Sequence, residues 1–152
     1  MDVLQANKIY YSRSLEETKR IGKDIAKDIV SGDILCFYGG LGAGKTTLIK
    51  AILTNLNPQI SENDISSPTF NYIHTYEGKF PIHHFDLYRL ENEKDFFSLG
   101  FEEFLEEGAV FIEWPDRIEN ILPDPIFRID LCIIGEQSRK ITCRRSHGKA
   151  SF

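Results

Sequence analysis

The chain has 152 residues, 41% of them hydrophobic and 27% charged, which fits one ordinary globular domain able to bury a core. A net charge of −5 argues against a protein that grips nucleic acid through bulk charge, and no apolar run approaches the length of a membrane span. Three cysteines, at positions 36, 132 and 143, give neither a disulfide framework nor a metal-ligand spacing, and Cys36 and Cys132 lie in apolar runs where small buried hydrophobes are expected.

The opening stretch MDVLQANKIYYS lacks a basic leader and an apolar centre, so a cytoplasmic location is expected. Lys8 to Ser12 reads as a short edge strand. Ser12 or Ser14 can cap the helix that follows, and Ser14 with Glu17 three residues on forms a capping-box pattern. Leu15, Thr18, Ile21, Ile25 and Ile29 fall on one helical face and predict a helix over about 15 to 30. Gly32 and Asp33 close it, and 33 to 38 is a short apolar run of the buried-strand kind. Apolar residues at helical spacing then run from Thr47 to about Asn55, stopped by Asn57-Pro58. Residues 59 to 64 are a polar loop.

Strands over 70–76 and 80–87, joined by Glu77-Gly78-Lys79, predict a β-hairpin inserted after the first strand–helix unit. Short helical pieces follow around Gly100, then a strand of four apolar residues, 109 to 112, closed by Glu113-Trp114-Pro115. Pro115 starts a short helix through Ile121. Strands over 127–134 and 139–143 share a Gly135-Glu136 turn, and the basic tail 144–152 is expected to fray. Early alternation of strands and helices with later hairpins predicts an α/β fold: a P-loop NTPase-like mixed sheet flanked by helices, in one domain over 1–152.

Gly39-Gly40-Leu41-Gly42-Ala43-Gly44-Lys45-Thr46 fits G-x-x-x-x-G-K-[ST], and it lies between a strand and a helix, the context the motif requires. Glycines let backbone N–H groups turn inward around a polyphosphate, and the helix start adds unpaired N–H groups and the positive end of its dipole. Residues 39 to 46, with Thr47, are therefore the candidate phosphate-binding set. Lys45 is expected to reach the β and γ phosphates, and the Thr46 hydroxyl to ligate Mg²⁺. Such a metal needs a nearby carboxylate, and two acids end apolar runs. Glu113 is favoured for the metal. Asp86 orients water, contacts Thr46, or merely caps a strand end.

Ser67 and Thr69 either sense the γ phosphate or form a turn before the strand. His83 and His84 alternate faces, so only one can point at the site. Trp114 either covers the nucleotide or packs over the sheet end, and Arg89 approaches phosphate or a partner, or is simply exposed.

Four segments taken together resemble one family: GGLGAGKTTL at 39–48, SSPTF at 66–70, HHFDLYRL at 83–90 and IEWPDRI at 112–118, with SLEET at 14–18 also fitting. They are similar to TsaE, the bacterial P-loop family needed to make threonylcarbamoyladenosine in tRNA. The resemblance spans roughly residues 12 to 118. It implies a cytoplasmic protein that binds ATP and Mg²⁺, hydrolyses ATP slowly, and associates with the proteins TsaB and TsaD. TsaD transfers the threonylcarbamoyl group to adenosine 37 of tRNAs reading codons that start with A. The ATPase would reset or regulate that transferase. The resemblance makes Lys45 and Thr46 the phosphate and metal residues, Glu113 the metal carboxylate and Asp86 an essential acid. It puts Thr69 in a switch-like segment, Ser14 and Thr18 near the base, and Trp114 near the nucleotide. Gly40 stands where the family commonly has an acid, a change that should not prevent phosphate binding.

Two other readings stay open. A small-molecule kinase shares the P-loop but needs an acceptor pocket and an arginine-bearing lid, and a nucleotide-gated binding module needs no turnover. Residues 91–124 carry 11 acidic and 2 basic groups, and 125–152 carry 2 acidic and 6 basic, so a contact with partners or tRNA competes with plain solvated surface.

Overall fold

The computed structural model describes residues 7–68 and 70–146. Among the described residues seven strands form one mixed sheet: β1 (Lys8–Ser12), β2 (Ile34–Tyr38), β3 (Ile73–Tyr76), β4 (Ile82–Asp86), β5 (Ala109–Glu113), β6 (Ile126–Ile133) and β7 (Arg139–Ser146). Their order is β1-β7-β6-β2-β5-β4-β3. The four central strands, β6, β2, β5 and β4, run parallel, while β7, β1 and β3 are antiparallel to their neighbours. Helices α1 (Leu15–Ala26), α2 (Lys45–Leu56) and α3 (Glu93–Ser98) and three 3₁₀ turns connect them. This is the expected α/β fold class.

The innermost strands β2 and β5 carry apolar residues on both sides, as strands covered on both faces do. β4 and β5 are buried along their whole length. On one face Leu35, Phe37 and Phe111 meet Ile25, Leu48, Ile49 and Ile52 of α1 and α2. On the other, Cys36, Phe85, Val110 and Ile112 meet Phe96, Phe101 and Ile118. Each such buried side chain contributes about 1.5–3 kcal/mol. The two helices on the first face approach so closely that a Cβ at Gly22 would lie 2.5 Å from the Ala51 Cβ. Only glycine fits there without moving a helix.

Ser14 caps α1 by accepting from the Glu17 N–H at 3.1 Å, while the Glu17 carboxylate accepts from the Arg13 N–H at 2.6 Å. α1 stops at Ala26 rather than near 30, because i→i+3 bonds from Asp28 and Ile29 tighten the chain into a turn. Ile29 stays buried all the same, so its helical spacing signals the core and not the helix. The hairpin of β3 and β4 is no insertion: β4 pairs along its length with β5 and carries the sheet outward to β3 at its edge.

The expected frayed tail is corrected as well. Residues 144 to 146 continue β7, with Ser146 opposite Ile126, since β6 offers a full-length partner. The rest of that tail lies outside the described residues. Cys36 is buried, but Cys132 is exposed, because it shares a face of β6 with the half-buried Arg128 and Asp130, where cover is thin. No helix among the described residues is long and apolar enough to cross a membrane.

Candidate functional site

Parallel strands bring their carboxyl ends to one edge of the sheet, where α/β proteins place ligands. β2 ends at Tyr38 and feeds the glycine loop, β4 ends at Asp86 and β5 ends at Glu113. Asp86 and Glu113 are register partners on adjacent strands. Their strand ends are tied further by the Leu87 N–H, which donates to the Glu113 carbonyl at 3.1 Å. Two acids far apart in sequence thus stand side by side.

The loop from 39 to 44 wraps over the start of α2. Gly42 and Gly44 adopt φ of 78° and 99°, conformations that side-chain-bearing residues disfavour. Gly44 is the N-cap of α2, which has no side-chain cap and no acid in its first turn. Its leading N–H groups and the positive end of its dipole therefore receive no cap and no negative charge from the helix's own first turn. A cavity of about 390 Å³ opens there, lined by loop residues from Gly40 to Thr47 together with Ser67, Asp86, Glu113 and Trp114.

Lys45 is buried, and its Nζ donates to the carbonyls of Gly39 and, at 3.2 Å, Gly40. The same ammonium sits 4.2 Å from the centre of the Trp114 ring, a cation–π contact. Burial pulls its pKa below the ordinary lysine value, while Glu113, Asp86 and Asp116 pull the other way. Trp114 holds a left-handed backbone with φ 59°, which is strained for a bulky residue and turns its ring over the cavity. The Tyr88 ring packs tilted against it at 5.0 Å, and Arg89 lies 5.0 Å from the exposed Phe70 ring.

Glu113 organises the polar cluster. Its Oε1 accepts from the Thr46 hydroxyl at 3.4 Å. Its Oε2 accepts from His84 Nε2 at 2.8 Å and from the Ser67 hydroxyl at 3.3 Å. Ser67 also donates to Asp86 Oδ2, and Asp86 Oδ1 accepts from the Tyr88 N–H at 3.0 Å. The sequence leaves Asp86 a choice that includes Thr46; the structure gives the Thr46 hydroxyl to Glu113. Of the paired histidines only His84 points at the site. His83 faces the opposite side of the sheet, where its Nδ1 shares a 2.9 Å hydrogen bond with Thr75 and its ring lies 4.8 Å from that of Phe104.

Ser14 and Thr18 lie across the loop from this cluster. Ser12 donates to the Ser14 carbonyl at 2.9 Å and shares a 2.6 Å hydrogen bond with Thr18. With Thr47, Gly44 and Arg139 they border a second cavity of about 230 Å³. The two cavities share Ala43, Gly44 and Thr47 of the glycine loop and α2. Thr69 falls outside the described residues. Arg139 was not singled out by the sequence; no local motif marks it, because it reaches the loop only through the pairing of β6 with β7. A larger groove of about 670 Å³ between β1 and α1 lies apart from the two carboxylates.

The family model described as threonylcarbamoyl adenosine biosynthesis protein TsaE matches residues 12–141. A protein of Rickettsia felis named tRNA threonylcarbamoyladenosine biosynthesis protein TsaE is 39% identical over 126 residues, covering 82% of this chain and 72% of its own length. The protein of the same name from Bacillus subtilis is 38% identical over 129 residues, covering 84% of this chain and 78% of itself. The crystal structure of Bacillus subtilis YdiB superposes with a TM-score of 0.74 at 31% identity, over 95% of this chain and 88% of that one. The chain belongs to the TsaE family.

Proposed function

We propose that this chain is a Mg²⁺-dependent ATPase that serves threonylcarbamoylation of adenosine 37 in tRNA by acting on the TsaB–TsaD transferase pair. One observation carries the reading: a glycine loop, an uncapped helix start, a buried lysine and two strand-end carboxylates converge on one cavity. The names of the relatives, all for tRNA threonylcarbamoyladenosine biosynthesis, support the pathway.

The residues suit both groups. Positive-φ glycines let N–H groups turn inward as an anion cradle, and Thr46 with Glu113 offers the hard oxygen donors that Mg²⁺ takes alongside phosphate. In this reading the N–H groups of 40 to 46 receive phosphate oxygens. Lys45 exchanges its bonds to Gly39 and Gly40 for bonds to the β and γ phosphates. Thr46 and Glu113 hold Mg²⁺, which when bound neutralises charge on the phosphates. Asp86, fixed by Ser67 and the Tyr88 N–H, orients the attacking water. Thr69 attends the γ phosphate. Trp114 shields the lysine, and Ser14 and Thr18 border the nucleoside. The whole of 1–152 acts as one domain, in the cytoplasm, where its tRNA is modified.

The test is ATP hydrolysis by the purified chain, alone and then with TsaB, TsaD and tRNA. Turnover that is weak alone and rises with the partners is expected. Turnover indifferent to them, with phosphate passed instead to a small hydroxyl compound, would make the chain a kinase and contradict the proposal.

A further inference from the structure

Arg139 opens β7, outside every segment that carries the family resemblance, yet its guanidinium reaches the phosphate loop. Nε donates to the Ala43 carbonyl at 3.0 Å and Nη2 to the Gly42 carbonyl at 3.4 Å. Nη1 donates the other way, to the carbonyls of Gly135 at 3.3 Å, Ser138 at 3.0 Å and Glu136 at 3.5 Å. One planar cation therefore ties the phosphate loop to the turn between β6 and β7.

A loop that turns its N–H groups inward must turn carbonyls outward, and those carbonyls need donors of their own. Glycines at 42 and 44 give the segment freedom to relax when it has none. A guanidinium spans two neighbouring carbonyls with a rigid fork, which the single flexible ammonium of lysine does not reproduce. A loop held in its binding conformation loses less freedom when an anion arrives. The cation also stands directly behind the cradle, 4.0 Å from where a Cβ on Gly44 would be.

We propose that Arg139 is a positioning residue for nucleotide binding: it braces the 42–44 segment against the β6–β7 turn and so keeps the phosphate cradle formed. This rests on the reading of the loop as a nucleotide site. It predicts a defect that a polyphosphate lacking any nucleoside shares, since the brace acts through the loop that receives the phosphates.

Trp114 is the chain's single tryptophan and lies over Lys45, so its fluorescence reports binding directly. The wild type, Arg139→Met and Arg139→Lys are titrated with Mg²⁺-ATP and with Mg²⁺-tripolyphosphate, and saturated turnover is measured beside them. Arg139→Met is expected to raise Kd roughly tenfold for both probes, with kcat changed less than about twofold. Arg139→Lys is expected to stay at least about threefold weaker than wild type. Unchanged Kd in Arg139→Met, a loss confined to ATP, or full rescue by lysine each overturns the proposal. If Arg139→Met does not fold, Arg139→Lys decides alone, since it keeps the charge and loses the fork. Wild type that binds neither probe overturns the nucleotide reading and this proposal together, whereas normal wild-type binding matched by both variants overturns this proposal only.

Discussion

The two faces of the sheet are built from the same strands yet do different work. On the face covered by α1 and α2, β4 and β5 carry Ile82, Ala109 and Phe111 into the core and then end in His84, Asp86 and Glu113. On the opposite face the same strands carry Phe85, Val110 and Ile112 into a cluster with Phe96 and Phe101, whose rings pack edge-on to Phe85 or tilted against it. Strand alternation makes the division: neighbours in sequence go to opposite sides. The adjacent histidines show it most plainly. His84 holds the Glu113 carboxylate, and His83 packs under Phe104. The buried acids of β4 and β5 are thus gathered at the strand tips of one face, and aromatic packing fills the other.

Substitutions on the two faces should separate activity from stability. The largest effect is expected at Glu113. Glu113→Ala removes the acceptor of the Thr46 and His84 bonds and should cut Mg²⁺-dependent hydrolysis roughly a thousandfold, the several kcal/mol that a positioned metal supplies. Steady-state turnover against Mg²⁺ concentration checks this, and turnover within a few-fold of wild type would break the division. Phe85→Ala, on the other face, should cost about 3–5 kcal/mol of stability by leaving a cavity. Its kcat, measured well below the melting temperature, should stay close to wild type.

A smaller effect should distinguish the two histidines. His84→Leu removes the donor to Glu113 Oε2 and should raise the Mg²⁺ concentration for half-maximal turnover about 10- to 100-fold, the usual cost of losing a residue that orients a metal ligand. His84→Gln, which can still donate, should recover part of it. His83→Leu should leave the Mg²⁺ requirement alone, and an equal shift in both variants would erase the contrast.

The smallest effect is on pH dependence. Burial pushes the His83 pKa below its ordinary 6.5, with Glu107 and Glu77 opposing. The unfolded chain then binds more protons than the folded one at this site as pH falls below that value. The stability associated with neutral His83 is therefore full above about pH 6.5 and is lost as pH falls toward the folded pKa. Urea midpoints at pH 7.5 and 5.5 should differ less in His83→Gln than in wild type, and an equal drop would place the titration elsewhere.

What the sequence makes legible is what is local. The strand–loop–helix from 34 to 56, the Ser14 cap and the apolar run ending at Glu113 are each written in a few consecutive residues, and each stands where expected. Alternation was also enough to separate His83 from His84. Pairing is less legible, because it depends on partners distant in sequence. The join of β4 to β5, the continuation of β7 to Ser146 and the reach of Arg139 to the loop all come from it. Exposure of Cys132 is hidden for a related reason: an apolar run does not say which face of the strand is covered, and Cys132 shares its face with the half-buried Arg128 and Asp130.

The measurement that tests the account most directly is calorimetric titration of ATP, with and without Mg²⁺, into wild type and Lys45→Ala. Saturable binding by wild type that tightens with Mg²⁺ and is lost in Lys45→Ala is the predicted result. Equal binding by both proteins, or binding that ignores Mg²⁺, would contradict the assignment of this strand-tip cavity as the nucleotide site.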